Sequence, residues 1–144
     1  MIQKTYMAKT NAVKNQSYLI DAQDKILGRV AAKAAALLLG KNSKTYTPHV
    51  FSGNQVIIIN AAKIKVSGKK LTDKEYNKYT GYHSGLKFMS LGKMLQNNPV
   101  QVMKLAITRM IPKGPLGNKI KTKLKIYAGD KHPHTAQKPI LYSI

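Results

Sequence analysis

Apolar residues along this chain follow three kinds of pattern, and the changes between them mark out the elements. Tyr18-Leu19-Ile20 is an apolar run of strand length. From Lys25 to Leu39, residues Ile26, Leu27, Val30, Ala31, Ala34, Leu37 and Leu38 recur every three or four positions, which predicts a helix with one apolar face. Asp24 stands where a carboxylate would cap the start of that helix, and Gly40 suits the left-handed position just past its end. Val56-Ile57-Ile58-Ile59 is continuous and β-branched, as in a strand covered on both faces of a parallel sheet. Ile64 and Val66 alternate with Lys63, Lys65 and Ser67, which predicts a second, half-exposed strand that Gly68-Lys69-Lys70 interrupts.

The second half is more punctuated. Thr72 and Glu75 have capping-box spacing and predict a short helical turn. Tyr76 to Lys87 mixes tyrosines, a histidine, glycines and lysines with no acid, and reads as a surface loop or irregular strand. Ser90 is placed to cap a short helix through Leu91, Met94 and Leu95. Asn98-Pro99 signals another helix start, with Val100, Met103, Ile107, Met110 and Ile111 as its buried stripe and Pro112 as its stop. Lys113 to Lys119 is a basic loop, a short basic helix follows, and Leu124 and Ile126 alternate with lysines as a last strand. Strands alternating with helices predict one α/β layered domain with a mostly parallel sheet. Its expected parts are an extended arm over 1–16, a core over 17–128 and an extended tail over 129–144 carrying Pro133 and Pro139.

Charge changes the picture. The chain has 25 Lys plus Arg against 5 Asp plus Glu, a formal balance of +20. Self-repulsion on this scale opposes folding and points to a polyanionic partner. Nucleic acid is the usual one, because each phosphate contact releases condensed counterions. An anionic membrane surface would call for a strongly amphipathic basic helix, and none stands out. The longest apolar runs, Ala34 to Leu39 and Val56 to Ile59, are far shorter than the roughly 20 residues that span a bilayer. Met1 to Lys14 lacks the apolar core of a signal peptide. With no cysteine, disulfides and thiolate metal sites are excluded.

Enzyme readings find little to stand on. The acids Asp21, Asp24, Asp73, Glu75 and Asp130 are scattered, and there is no P-loop or Gly-x-Gly-x-x-Gly phosphate cradle. Ser67 with Lys70, Ser84 with Lys87 and Ser90 with Lys93 match Ser-x-x-Lys, a spacing that a lysine-rich chain produces by chance. His132 and His134 would point to opposite sides of an extended chain, and His49 and His83 are isolated, short of a zinc ligand set. No metal or cofactor is expected. Nucleic-acid contact fits better. Lys119, Lys121, Lys123 and Lys125 would make one basic face on an extended stretch and spread round a helix; the plainer alternative is a solvated lysine edge that keeps a strand from aggregating. Tyr79, Tyr82 and His83, with Lys87 beside them, are placed to stack on unpaired bases; Tyr76 and Tyr79 fit equally as partly buried core residues. Arg29 and Lys33, one helical turn apart, are weaker candidates. Lysine far outnumbers arginine, which suits backbone contact over base readout and leaves RNA and DNA both open.

Several stretches, taken in order, resemble one family. They are Ile26-Leu27-Gly28-Arg29, Leu39-Gly40-Lys41, Tyr46-Thr47-Pro48-His49, Val56 to Ala61, Gly68-Lys69-Lys70 and Thr80-Gly81-Tyr82. Met110-Ile111-Pro112-Lys113, Leu116-Gly117, Lys123 to Gly129, His132-Pro133-His134 and Ala136-Gln137-Lys138-Pro139 complete the set. The ordered set is similar to the L thirteen family of large-subunit ribosomal proteins of the bacterial type, from about Tyr18 to Pro139. The chain departs from that pattern at Phe51 and Asn54, at His83-Ser84-Gly85, at Arg109 and at Asn118. The resemblance implies a three-layer αβα sandwich around a mostly parallel sheet of about four strands, with extended basic N- and C-terminal segments. It also implies binding to large-subunit rRNA, a part in early subunit assembly, contacts with neighbouring ribosomal proteins, and no catalysis or small-molecule substrate. The setting would be the ribosome of the cytoplasm, an organellar ribosome fitting as well. On that reading Lys41, Lys44, His49, Lys69, Lys70, Lys113, His132, His134 and Gln137 join the residues above as rRNA contacts.

Overall fold

A computed structural model of the chain describes residues 7–9 and 15–143; most of the predicted N-terminal arm lies outside the described residues. The order of elements begins with β1 (Ser17–Asp21), α1 (Leu27–Leu39) and β2 (Gln55–Ile59). β1 and β2 pair in parallel, Ser17 opposite Gln55 through Asp21 opposite Ile59. A 3-10 turn (Ala61–Lys63), the single-turn helix α2 (Lys70–Asp73) and a hairpin of β3 (Glu75–Tyr79) and β4 (Leu86–Ser90) follow. Then come α3 (Leu91–Asn97), α4 (Pro99–Thr108), α5 (Pro115–Thr122) and β5 (Leu124–Ile126). A second 3-10 turn (Thr135–Gln137) leads to β6 (Ile140–Leu141).

The main sheet has the order β5-β2-β1-β6, and every pairing in it is parallel. The steps from β1 to β2 to β5 run one way and the return to β6 runs the other. Right-handed crossovers therefore put α1 and the helices before β5 on one face, and the β5-to-β6 connection on the opposite face. This is the αβα arrangement that the resemblance implied. On the helical side, Tyr18, Ile20, Val56 and Ile58 join Val30, Ala31, Ala34, Leu37 and Leu38 of α1 and Val102, Met103 and Ile107 of α4 in one buried cluster. Ile57, pointing the other way, is also fully buried. Fully burying a branched side chain of this size is worth about 1.5–3 kcal/mol, so these strands hold the fold.

Several expectations are corrected. Asp24 does not cap α1: it sits in a turn at φ 57°, and its carboxylate pairs with Lys65 Nζ at 2.8 Å. The helix starts at Leu27, with Ile26 at its N-cap and no side-chain capping bond. Ile64 to Val66 is not a strand. The Lys65 backbone accepts from Leu27 N–H and donates to Lys25 C=O, both at 2.9 Å, and so closes the entrance of α1 through one isolated bridge rather than adding a sheet edge. The fourth strand is β6, within the segment read as an extended tail. Thr72 lies inside α2, its hydroxyl donating to the Lys69 carbonyl at 2.8 Å, and Glu75 belongs to β3, so no capping box forms. Ser90 occupies the N-cap of α3 without a side-chain bond.

The Asn98-Pro99 start of α4 is as expected, the Asn98 side chain accepting Gln101 N–H at 3.0 Å. The buried stripe is shifted. Val102, not Val100, is fully buried, and Met110 is 47% exposed because the helix has already ended at Thr108. Part of the predicted Lys113-to-Lys119 loop is helical, since α5 begins at Pro115. Gly117 lets α5 fold back on the chain before it: a Cβ there would lie 1.9 Å from the Pro112 carbonyl oxygen.

Candidate nucleic-acid interface

The basic residues are positioned by loops that the sheet and α1 hold in place. At the end of α1, Gly40 at φ 76° returns its N–H to the last turn. The next loop is then tied back, Ser52 Oγ donating to Leu38 C=O at 3.0 Å and Asn54 Nδ2 to Leu37 C=O at 3.0 Å. Lys41, Lys44 and His49 project from this loop and are exposed. Lys41 shares a cleft of about 290 Å³ with Tyr46, Pro48, Pro112 and Lys113. Four of the stretches that carry the family resemblance thus meet at one place, although up to about 75 residues separate them in the chain.

A second cleft, of about 320 Å³, opens at the other end of α1, lined among others by Gly28, Lys70, Lys74, Tyr76, Arg109 and Met110. Tyr76 is only 9% exposed. The Lys74 ammonium and the Arg109 guanidinium each stand 5.6 Å from its ring centre, within cation–π range. Burial pushes the Tyr76 phenol above its ordinary value, and the charge of Arg109 partly opposes that rise. The hairpin turns Tyr79 (67% exposed), Tyr82 (80%), His83 and Lys87 to solvent. Its register sets Tyr79 opposite Leu86 and Asn77 opposite Phe88 on the outer face, and Lys78 directly opposite Lys87 on the other. Like charges facing one another across a strand pair destabilise it, a cost that a bound anion would remove.

The run of alternating lysines does not form one face. Lys119 and Lys121 lie on α5, Lys123 ends that helix and Lys125 lies on β5. At about 100° per residue, Lys119 and Lys121 point to nearly opposite sides of the helix. Lys121 is half-buried and reaches Asn118 Oδ1 at 3.4 Å, while Lys119 and Lys125 are exposed. Beyond β5, His132 and His134 do not point apart. The chain bends between them, His134 N–H donates to His132 Nδ1 at 3.2 Å, and the rings lie nearly parallel at 6.4 Å. His134 Nε2 also meets the Tyr127 hydroxyl at 2.8 Å. Gln137 and Arg29, Lys33 and Lys69 are exposed. The structure adds Lys74, Tyr76, Lys78, Phe88 and Arg109 to the candidates. Reading the hairpin as a loop hides Tyr76 and Phe88, and reading α4 as longer than it is hides Arg109.

Three of the five carboxylates, those of Asp21, Asp24 and Asp73, are occupied locally. Asp21 Oδ1 accepts from Asn60 Nδ2 at 2.9 Å and from Gln23 N–H at 3.0 Å. Asp24 is held by Lys65, which depresses its pKa through a hydrogen bond and then through charge. Five acids cannot neutralise 25 cations, so a broad positive surface remains on a rigid α/β body.

A basic α/β protein with such a surface is suited to a polyanionic partner, and comparison with known proteins narrows its class. The family model described as Ribosomal protein L13 matches residues 15–133. Among curated relatives, the Large ribosomal subunit protein uL13 of Xylella fastidiosa (strain M12) is 51% identical over 140 residues, 97% of this chain and 99% of that protein. The protein of the same name from Bacillus thuringiensis (strain Al Hakam) is 49% identical, covering 97% of each chain. The chain belongs to the ribosomal protein L13 family. Among the described residues no helix is long and apolar enough to cross a membrane.

Proposed function

We propose that this chain is a structural constituent of the large ribosomal subunit that binds large-subunit rRNA through its basic loops and terminal segments, acts early in subunit assembly and has no catalytic role. The observation that carries this reading is the set of exposed cations at both ends of α1, on the hairpin and around α5, with almost no acid to neutralise them. A rigid parallel sheet keeps these groups at fixed separations, as is required to join RNA segments that repel one another. The names of the curated relatives support the same placement. Neighbouring ribosomal proteins are further partners, and the site of action is the ribosome.

The test is the salt dependence of affinity for large-subunit rRNA. Removing one lysine from a phosphate should flatten the slope of log K against log salt by about 0.7–0.9. Because the lysine run is split between elements, Lys119→Ala with Lys125→Ala, both exposed, should weaken binding and flatten the slope by more than one such step. Lys121→Ala, already engaged with Asn118, should do less. Unchanged affinity and slope in the double variant would remove these lysines from the interface. A wild-type slope equal for rRNA and for duplex DNA would favour a general nucleic-acid-binding module instead.

A further inference from the structure

The outer face of the β3–β4 hairpin is apolar where a surface should be polar. Its rows, read from the register, are Glu75 with Ser90, Asn77 with Phe88 and Tyr79 with Leu86. Phe88 is 60% exposed, Leu86 49% and Tyr79 67%, so the described residues leave them largely open to water. Single exposed apolar side chains are ordinary, but adjacent ones on one sheet face mark an interaction surface. Tyr79 and Phe88 are diagonal neighbours, about 7–8 Å apart in such a ladder, and so form one platform. The tip beyond them is closed. Thr80 N–H donates to Gly85 C=O at 3.1 Å, and Gly85 N–H donates to Tyr82 C=O at 2.9 Å. Tyr82 stands exposed at that tip.

Charge decides what covers this face. From Tyr76 to Ser90 the chain has Lys78, His83 and Lys87 and no acid. Lys78 and Lys87 oppose each other on the reverse side, a repulsion that a nearby anion relieves. The strands of a ribbon lie about 5 Å apart, so lysines on one side reach around its open edges. Glu75 shares the platform face but stands at the end next to the body, about 14 Å along the strand from Tyr79. It repels an anion there and leaves the tip end open to one. The partner must therefore carry flat apolar faces and closely spaced negative charge together. An unpaired stretch of RNA has both, whereas a duplex keeps its base faces stacked inside. We infer that the outer face of the hairpin is a stacking platform for unpaired RNA bases, Tyr79 and Phe88 each taking one base while Lys78 and Lys87 meet the adjoining phosphates. The inference rests on the rRNA-binding reading above and names the part of that RNA which the hairpin takes.

The chain has two phenylalanines, Phe51 and Phe88, so the first serves as a control for the second. The experiment follows the ring signals of phenylalanine-labelled full-length protein by NMR. The titrants are a single-stranded RNA of about eight nucleotides and an RNA duplex. The single strand should move the Phe88 ring protons upfield, as stacking requires, and leave those of Phe51 in place. Binding isotherms then separate stacking from charge. Phe88→Leu keeps the side chain apolar and removes the π face. It should weaken single-strand binding about fivefold or more and leave both the salt slope and duplex binding unchanged. Tyr79→Leu should repeat that loss, whereas Tyr79→Phe, which keeps the ring, should bind as the parent does. Lys87→Ala should instead flatten the salt slope by about 0.7, the single-strand value for one phosphate. These positions are all exposed, so thermal stability should stay close to the parent's. A Phe88 ring unmoved at saturating single strand would overturn the inference, as would a Phe88→Leu protein that weakens on both RNAs alike or on neither. A Phe88 signal that moves with protein concentration before RNA is added would give the face to a second copy and overturn it too. Entry of Phe88→Leu into large subunits tests the ribosomal reading alone, so the two fail separately.

Discussion

In β2, three consecutive residues, Val56 to Ile58, are fully buried, whereas in β3 only Tyr76 is buried and in β4 no residue is. Both kinds of strand have five residues, and both are paired along their length. The difference lies in what the second face meets. β2 runs between two parallel neighbours with apolar contacts on both sides, so its sequence carries no alternation. The hairpin rests on the body through Tyr76 and the Leu91 that follows β4, while Tyr79, Leu86 and Phe88 stand in water. This chain has a +20 balance, and self-repulsion opposes its compact state. It concentrates stability in a dry sheet and leaves hairpin and loops free to present cations and rings. Mutations in the two regions should therefore fail differently, the first through stability and the second through binding.

The largest effect should come from Ile58→Ala. It removes a fully buried side chain from the middle strand, and chemical denaturation should show a loss of about 2–5 kcal/mol. A loss below 1 kcal/mol, on the order of a surface substitution, would mean that the sheet is not where stability resides. Gly117→Ala comes next. The new methyl would collide with the Pro112 carbonyl, and forcing α5 aside should cost about 1–3 kcal/mol and also weaken rRNA binding, because Lys113 and Lys119 move with it. Lys78→Glu sharpens the contrast by its sign. It replaces a like-charged cross-strand pair with an attractive one, so stability should rise by about 0.2–1 kcal/mol while rRNA affinity falls. An unchanged affinity alongside the gain in stability would mean that the hairpin does not face RNA.

The smallest effect belongs to Asp24. Its pKa lies below the ordinary carboxylate value because Lys65 stabilises the charged form. The unfolded chain therefore takes up the proton first as pH falls. The stabilisation is present above about pH 4, near the unfolded carboxylate pKa, and fades as pH drops through the lower folded value. Both groups are well exposed, so Asp24→Asn should remove only a slight acid-side slope from a plot of melting temperature against pH.

The main helices and the central strands were legible because burial writes itself into periodicity. α1 shows its 3.6 period, β2 its unbroken β-branched run, and the Asn98-Pro99 start its fixed local chemistry. What could not be read depended on partners distant in sequence. Ile64 and Val66 alternate as a strand would, yet the Lys65 backbone is taken up by the entrance of α1. β6 has only two residues, too few for any pattern, and exists because β1 offers it an open edge. Met110 keeps helical spacing beyond a helix that has already ended. Of the candidate site, the lysines were visible as charge, but their grouping was not. The sequence left open whether Lys119 to Lys125 form one face of an extended stretch or spread round a helix, and the fold divides them between a helix and a strand. The cleft at Gly28 unites residues from α1, α2, β3 and the end of α4, a convergence that no local pattern announces.

The most direct test of placement in the large subunit is a sucrose-gradient profile of a native lysate probed for this protein at high and low magnesium. The protein should comigrate with ribosomes at high magnesium and with the large subunit, not the small one, once low magnesium separates them. A protein that stays at the top of the gradient under both conditions would contradict that placement.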